Sequence, residues 1–362
     1  LDREDLFVHG YPHHLIVGGW TISFGRLPIK ETSDRKGSNS VKQVVIIPRN
    51  GYINRLQGMA SAQILADQIG AELKVAWAPQ DAAPAQAKMV FDSAAIDRDF
   101  ISEEKCQQMC GFPPNEIPRY LNTSATESGV KVITLAGYEL GEQYFMRELR
   151  DLIDTSPDVQ IIAISAGGRF SLESESPSVA WDSQNFQSER ARWYAKQNFS
   201  EKIESAIRGA AVSEPYFGLH LRYSDRSHQT PTRRDINRAV QRLASEIAVR
   251  RVFIASDSRT EREWWSIKLK EQGFSVWWHD TTGNNRTHES GALGALIDWR
   301  LLGLSKSLVY FKESSYGYEA AVATQNFSGS IGLEANRIRS LSVRGKDLAR
   351  NAITAPKRRG WV

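Results

Sequence analysis

Apolar and polar positions alternate along this chain in blocks, short β-rich runs exchanging with longer stretches of helical period. Val41 to Pro48 is a β-rich apolar run that ends in Pro. Arg49 to Leu56 reads as a loop entering a helix; Leu56, Met59, Ala60, Gln63, Ile64 and Asp67 then fall at helical spacing, and Gly70 stops it. Ala71 to Trp77 is the next expected strand, which completes one βαβ unit. Residues 78–128 are rich in Pro, Asp and Ser and have little period. Strands are expected over 130–135 and 159–165, with a helix over 141–153 between them and a Ser-rich loop over 166–183. Residues 185–208 read as one amphipathic helix that bridges to a second domain starting near Val212.

The second half alternates more cleanly. Strands are expected over 216–221, 251–256, 275–278 and 307–311, and helices over 233–249, 259–272, 290–304 and 316–324. Strands exchanging with helices of this length predict an α/β fold with a parallel, doubly wound sheet. Right-handed crossovers would gather the strand C-terminal ends on one edge, where such sheets bind ligands. Residues 1–40 read as an irregular start, and the chain has no internal repeat or low-complexity segment.

The 362 residues suit two domains, divided here as 1–210 and 211–362. A hydrophobic content of 41% with 24% charged residues is that of an ordinary soluble globular protein. The net charge of +4 suits a small anionic ligand and does not argue for nucleic acid, since Lys357-Arg358-Arg359 is only a short basic tail. No run of apolar residues is long enough for a membrane span, and the N-terminus lacks the apolar core of a signal peptide. The expected compartment is the cytoplasm, with peripheral membrane attachment left open; the first residue, Leu1, also leaves open a leader ahead of it.

Cys106 and Cys110 form neither a disulfide framework nor a zinc spacing, and read as reduced thiols. Asp97-Arg98-Asp99 has the letters of a metal-binding Asp-x-Asp but lies in the irregular insert. His13-His14 has no partners at ligand spacing. No metal site is expected.

The chemistry concentrates at the ends of the second set of strands. In residues 217–226, FGLHLRYSDR, an apolar run carries His220 and Arg222 two residues apart, on one face if the strand continues. An Arg there needs an anionic partner. A ligand phosphate and a structural carboxylate such as Asp225 both satisfy that need. Three further segments share the edge. Ile254 to Ser258 ends a strand in Asp257; Ala292 to Trp299 is a small-residue helix carrying Asp298; Lys312 to Gly317 is a strand-to-helix turn with Ser314 and Ser315. Ser314, Ser315 and Asp257 each have a plain alternative role as helix caps. Asp298 among apolar neighbours needs a partner, which a structural Arg also supplies.

Taken in order, these segments resemble the GT-B fucosyltransferase superfamily of α-1,6-fucosyltransferases, nodulation-type fucosyltransferases and protein O-fucosyltransferases. His220-Leu221-Arg222-Tyr223-Ser224-Asp225 resembles its H-x-R-x-x-D motif, and Val252 to Asp257 its strand ending A-[ST]-D. Gly294 to Leu302 followed by Leu308 to Ala321 resembles its L-x-D-x-x-x-L helix, strand and S-S-x-x-x-x-x-A. Gly51-Tyr52-Ile53-Asn54-Arg55-Leu56 is similar to the looser G-x-x-N-R-L start of its first domain. The ordered set covers about a third of the chain.

The resemblance implies two Rossmann-like domains facing a central cleft and an inverting, metal-free transfer of a sugar, most readily fucose from GDP-fucose, to a glycan or polysaccharide acceptor. It implies no cofactor: the GDP-sugar is a co-substrate. Arg222 would hold the β-phosphate and Ser314 or Ser315 would donate to it. Asp298 would pair with the guanine edge, His220 and Asp257 would lie near the nucleotide, and Gly51, Asn54 and Arg55 would face the cleft from the first domain. The chain departs from some relatives where Tyr223 stands for a second arginine and Ser258 for a second acid, and Ser227-His228-Gln229-Thr230 offers no match to the Glu proposed as the family's base. Asp225 and His228 stand as base candidates by position. The alternatives are another nucleotide sugar, or a nucleotide-sugar or glycan binder without turnover; release of free sugar from the donor separates the binder from an enzyme.

Overall fold

The computed structural model describes residues 16–17, 20–21, 41–116, 120–136, 143–171, 182–223, 230–280, 289–324 and 326–334. β1 (Ile16–Val17) and β2 (Trp20–Thr21) form a small antiparallel pair. The rest of the described architecture belongs to one compact unit, Ser38–Ala211 with Pro215–Val362. It is built on two sheets.

The first sheet grows from the apolar run at Val41. β3 (Gln43–Pro48) is buried along nearly its whole length, as a central parallel strand must be. It pairs in parallel with β4 (Glu72–Ala76) on one side and β8 (Val159–Ala166) on the other. β5 (Phe100–Ile101) extends one edge in parallel. β7 (Lys131–Ala136) extends the other, and β6 (Tyr120–Ala125) adds to it antiparallel, so the order is β5-β4-β3-β8-β7-β6. The β6–β7 hairpin turns at Gly129, whose φ of 78° favours glycine, with the Thr126 hydroxyl accepting from the Val130 amide. The first sheet is therefore mixed, antiparallel only at this edge.

The stretch expected to be irregular, 78–128, also holds α2 (Ala87–Val90), α3 (Ser93–Asp99) and α4 (Glu103–Cys110). These helices are too short to show a period. They are fixed locally, Asp92 capping α3 through the Ala95 amide and Ser102 capping α4 through the Lys105 amide. Cys106 and Cys110 are unpaired and buried. α5 (Gln143–Thr155) joins β7 to β8. The single bridging helix is instead two, α6 (Gln184–Lys196) and α7 (Glu201–Ala210). The break is tertiary in origin: Phe199 forms a β-bridge with Phe91 and stacks on its ring, while Ser200 and Asp92 exchange backbone bonds with the opposite segment.

The second sheet is parallel throughout, in the order β11-β10-β9-β12-β13. Its strands are β9 (Phe217–Leu221), β10 (Arg251–Ser256), β11 (Ser275–Trp277), β12 (Leu308–Phe311) and β13 (Ile331–Leu333), the last unforeseen because Gly332 interrupts its short apolar run. The crossovers are α8 (Arg233–Ile247), α9 (Arg259–Glu271), α10 (Glu289–Gly303) and α11 (Ser315–Val322). The strand order reverses between β9 and β12, which makes that point the switch where ligands bind in open parallel sheets.

α1 (Tyr52–Ile69) ties the two sheets together. It packs on β3 and β4 of the first sheet and on α10 and α11 of the second. Most of α1 is buried, and small residues, Gly58, Ala60, Ser61, Ala62 and Ala66, let it pack on both sides. It ends at Gly70 in the left-handed conformation, as the sequence predicts.

Candidate functional site

Arg222 stands one residue beyond the last ladder position of β9, where Leu221 pairs with Ser256. Its Nη1 donates to Ser314 Oγ at 3.4 Å. Asp257, one residue past the neighbouring β10, accepts the Tyr223 amide on Oδ1 at 2.7 Å. The aspartate thus holds the chain as it leaves β9 and sets the base of the Arg222 side chain. Helix α9 is capped by Ser258, so the capping role allowed for Asp257 is not the one it fills.

Ser314 is the N-cap of α11: its hydroxyl accepts from the Gly317 amide at 3.4 Å. The capping role and the contact with Arg222 meet on one oxygen. A helix N-terminus and a guanidinium converge there, and both favour an anion. Ser315, the first helical residue, donates to Asn54 Oδ1 at 2.9 Å. Asn54 lies in the first turn of α1, and that helix starts at Gly51 with no side-chain cap. The two helix starts are therefore linked directly.

His220 is buried on β9 between two aromatic rings. Tyr316 stacks on it at 5.0 Å and Phe311 meets it edge-on at 6.1 Å. The Tyr316 hydroxyl donates to the Ala295 carbonyl at 2.7 Å, which ties this stack to α10. The close approach depends on Gly317: a Cβ there would stand 2.6 Å from His220 Nδ1.

Asp298 is buried on α10, and His279, just past β11, places Nδ1 3.2 Å from its Oδ1. Burial raises the Asp298 carboxyl above the ordinary carboxylate range, against the opposing pull of His279 and Arg262. Arg55 is fully buried rather than presented outward. Its Nε donates to the Asn50 carbonyl at 2.9 Å and its guanidinium lies over the Trp77 ring at 4.4 Å. Burial lowers it to about 10, partly offset by Tyr52. Asp225 and His228, the base candidates, lie outside the described residues.

The structure thus brings Arg222, Ser314, Ser315 and Asn54 together, with His220 beside the same helix start and Asp257 one hydrogen bond behind. Asp298 lies one turn along α10 from Ala295, whose carbonyl Tyr316 bonds. Sequence reasoning missed His279, Tyr316 and a buried ionic cluster around Glu319 and Arg190. Glu319 carried a signal of the kind that marked Asp298, a carboxylate among Ala320, Ala321 and Val322. Arg190 carried none, since it sits in a run of charges. Two tryptophans of this half serve the core: Trp265 is fully buried, and Trp277 packs on Tyr216 and Phe253. Trp264 lies under the Arg233 guanidinium at 3.9 Å, and Trp181 is outside the described residues.

Among the described residues no group of three His, Cys, Asp or Glu side chains is placed to hold a metal ion. No described helix is long and apolar enough to cross a membrane.

No protein-family profile and no curated protein sequence matches the chain. Solved structures do match. The NodZ α-1,6-fucosyltransferase co-crystallized with GDP superposes with a TM-score of 0.50 at 15% identity, over 78% of this chain and 93% of that one. NodZ from Bradyrhizobium gives 0.50 at 16%, over 78% and 92%. A mutant of Arabidopsis thaliana FUT1 in complex with GDP gives 0.54 at 13%, over 83% and 72%. At these identities the likeness is one of fold, and the fold of this chain is that of the GT-B fucosyltransferases.

Proposed function

We propose that this chain is an inverting glycosyltransferase that moves fucose from GDP-fucose to a glycan acceptor. The observation that carries the reading is the meeting of Arg222 with Ser314 at the start of α11, at the switch point of the parallel sheet. The superposed NodZ and FUT1 structures hold GDP, which supports a guanine nucleotide as the ligand.

In this reading the diphosphate lies at the start of α11, against Arg222 and the Ser314 and Ser315 hydroxyls. The acceptor oxygen attacks C1 of the sugar from the face opposite the nucleotide. The C1–oxygen bond breaks and its electron pair goes to the β-phosphate oxygen, where Arg222 neutralises the growing charge. The acceptor proton passes to a base, for which Asp225 and His228 are the candidates. Asp298 accepts from the N–H edge of guanine with its carboxylate steadied by His279. The charge work falls on Arg222, so the transfer is proposed to run without a metal ion.

Turnover is the part of the reading with a rival. Tyr223 stands where some members of the resembled family carry a second arginine. It is directed into the core beside Phe311, and burial pushes its hydroxyl up to about 12. That favours, as the second reading, a protein that binds GDP-sugars without transfer. A melting screen against GDP, UDP and CMP tests the ligand class. Ligand at a hundred times its dissociation constant adds about 2.7 kcal/mol of stability. GDP is expected to raise the melting temperature; a larger rise with UDP would remove the fucosyltransferase reading.

A further inference from the structure

One turn beyond Ser315, α11 carries Glu319, which has no solvent exposure. Its carboxylate accepts from Gln57 Nε2 at 2.9 Å, from the Tyr194 hydroxyl at 2.7 Å, and from Arg190 Nε and Nη2 at 3.1 and 3.2 Å. Arg190, equally buried, spends Nη1 and Nη2 on Asp182 at 2.7 and 3.1 Å. Arg169 adds longer contacts to both acids, 3.6 Å to Glu319 and 3.5 Å to Asp182. Two carboxylates thus face two guanidiniums, and the cluster joins α1, α6 and α11.

A buried cluster of this kind is not needed for stability, because apolar side chains of similar volume commonly do as well or better. Its placement supplies another reason for it. Asn54 and Gln57 are three residues apart on α1, and Ser315 and Glu319 are four apart on α11, so each pair lies on one helix face. Asn54 meets Ser315 and Gln57 meets Glu319. Together the two contacts hold α11 at two points along α1, against both rotation and slide. Rotation of α11 is what would carry Ser314 and Ser315 away from Arg222.

We infer that Glu319 is a positioning residue of the donor-phosphate site, which through Gln57 and Arg190 sets where Ser314 and Ser315 stand. This rests on the donor reading given above.

The test is GDP affinity by calorimetry beside melting temperature, for wild type, Glu319→Gln, the double variant Arg190→Met with Glu319→Leu, and Leu149→Ala. Leu149 is buried on α5 against the first sheet and serves as a pure stability control. Glu319→Gln is expected to weaken GDP about tenfold, the scale of one hydrogen bond to a charged group. The double variant is expected to melt lower, because Asp182 loses its two bonds from Arg190, and while folded to bind GDP as weakly as Glu319→Gln. Leu149→Ala is expected to melt lower with GDP affinity unchanged. If Glu319→Gln and the double variant keep wild-type affinity, the cluster is only structural and the inference is overturned. Should the double variant fail to fold, Glu319→Gln alone decides. If folded wild type does not bind GDP, the donor reading fails and this inference falls with it.

Discussion

Arg222 and Asp298 carry opposite burdens, and each has its own test. Arg222→Lys keeps the charge and loses the planar fork, so turnover should fall roughly a hundred- to thousand-fold, the cost of a lost transition-state donor. Asp298 predicts a pH dependence of defined sign. Burial raises its folded pKa above the unfolded value, so the unfolded chain gives up this proton first as pH rises. Stability from this group therefore falls with rising pH between the ordinary carboxylate range and the raised folded value, and is level above it. GDP affinity should move the other way across the same window, because only the carboxylate accepts the guanine N–H groups. Titrating GDP against wild type and Asp298→Asn over pH checks this; an equal slope in the variant would assign the dependence elsewhere. Arg222, His220 and Asp298 were legible in the sequence because each puts a polar group inside an apolar run. His279 was not, since a histidine after two tryptophans at a strand end has many plain uses, and its partner lies 19 residues on.

At the scale of elements, α11 is where the fold and the chemistry meet. Its start holds Ser314 against Arg222, its first turn holds Ser315 against α1, and Gly317 admits the His220 ring. Gly317→Ala would force a Cβ to within 2.6 Å of a ring pinned between Tyr316 and Phe311. Overpacking of that kind costs about 1–3 kcal/mol. Thermal or urea unfolding should show that loss; a fully stable variant would mean that the ring is not held as described. Glu319→Ala should cost more, about 3–5 kcal/mol, because it leaves Arg190 buried with half its partners gone. The long helices and the buried strands were readable from period and stop signals, with Gly70 the clearest. Other elements were not. α2, α3 and α4 are too short to show a period, β13 is interrupted by Gly332, and the α6–α7 break is imposed by Phe91 from far along the chain.

At the scale of the molecule, α1 and α11 connect a mixed six-stranded sheet to a parallel five-stranded one, and the strand-order reversal puts the Arg222–Ser314 contact at the switch point. The parallel character of the second sheet followed from the alternation of strands and helices; the antiparallel edge of the first did not, because β6 lies in a stretch without period. If Arg222 does the charge work, transfer should persist in a chelator such as EDTA; loss of activity restored by manganese or magnesium would contradict the metal-free reading. The central claim is that this chain cleaves a GDP-sugar with Arg222 on the diphosphate. The most direct measurement is release of GDP and free sugar from GDP-fucose in the absence of acceptor, for wild type and Arg222→Lys, with the melting temperature of each. The account predicts slow release by wild type and a loss of roughly a hundredfold or more in the variant at unchanged melting temperature. GDP binding with no release by wild type, or release by Arg222→Lys at the wild-type rate, would contradict it.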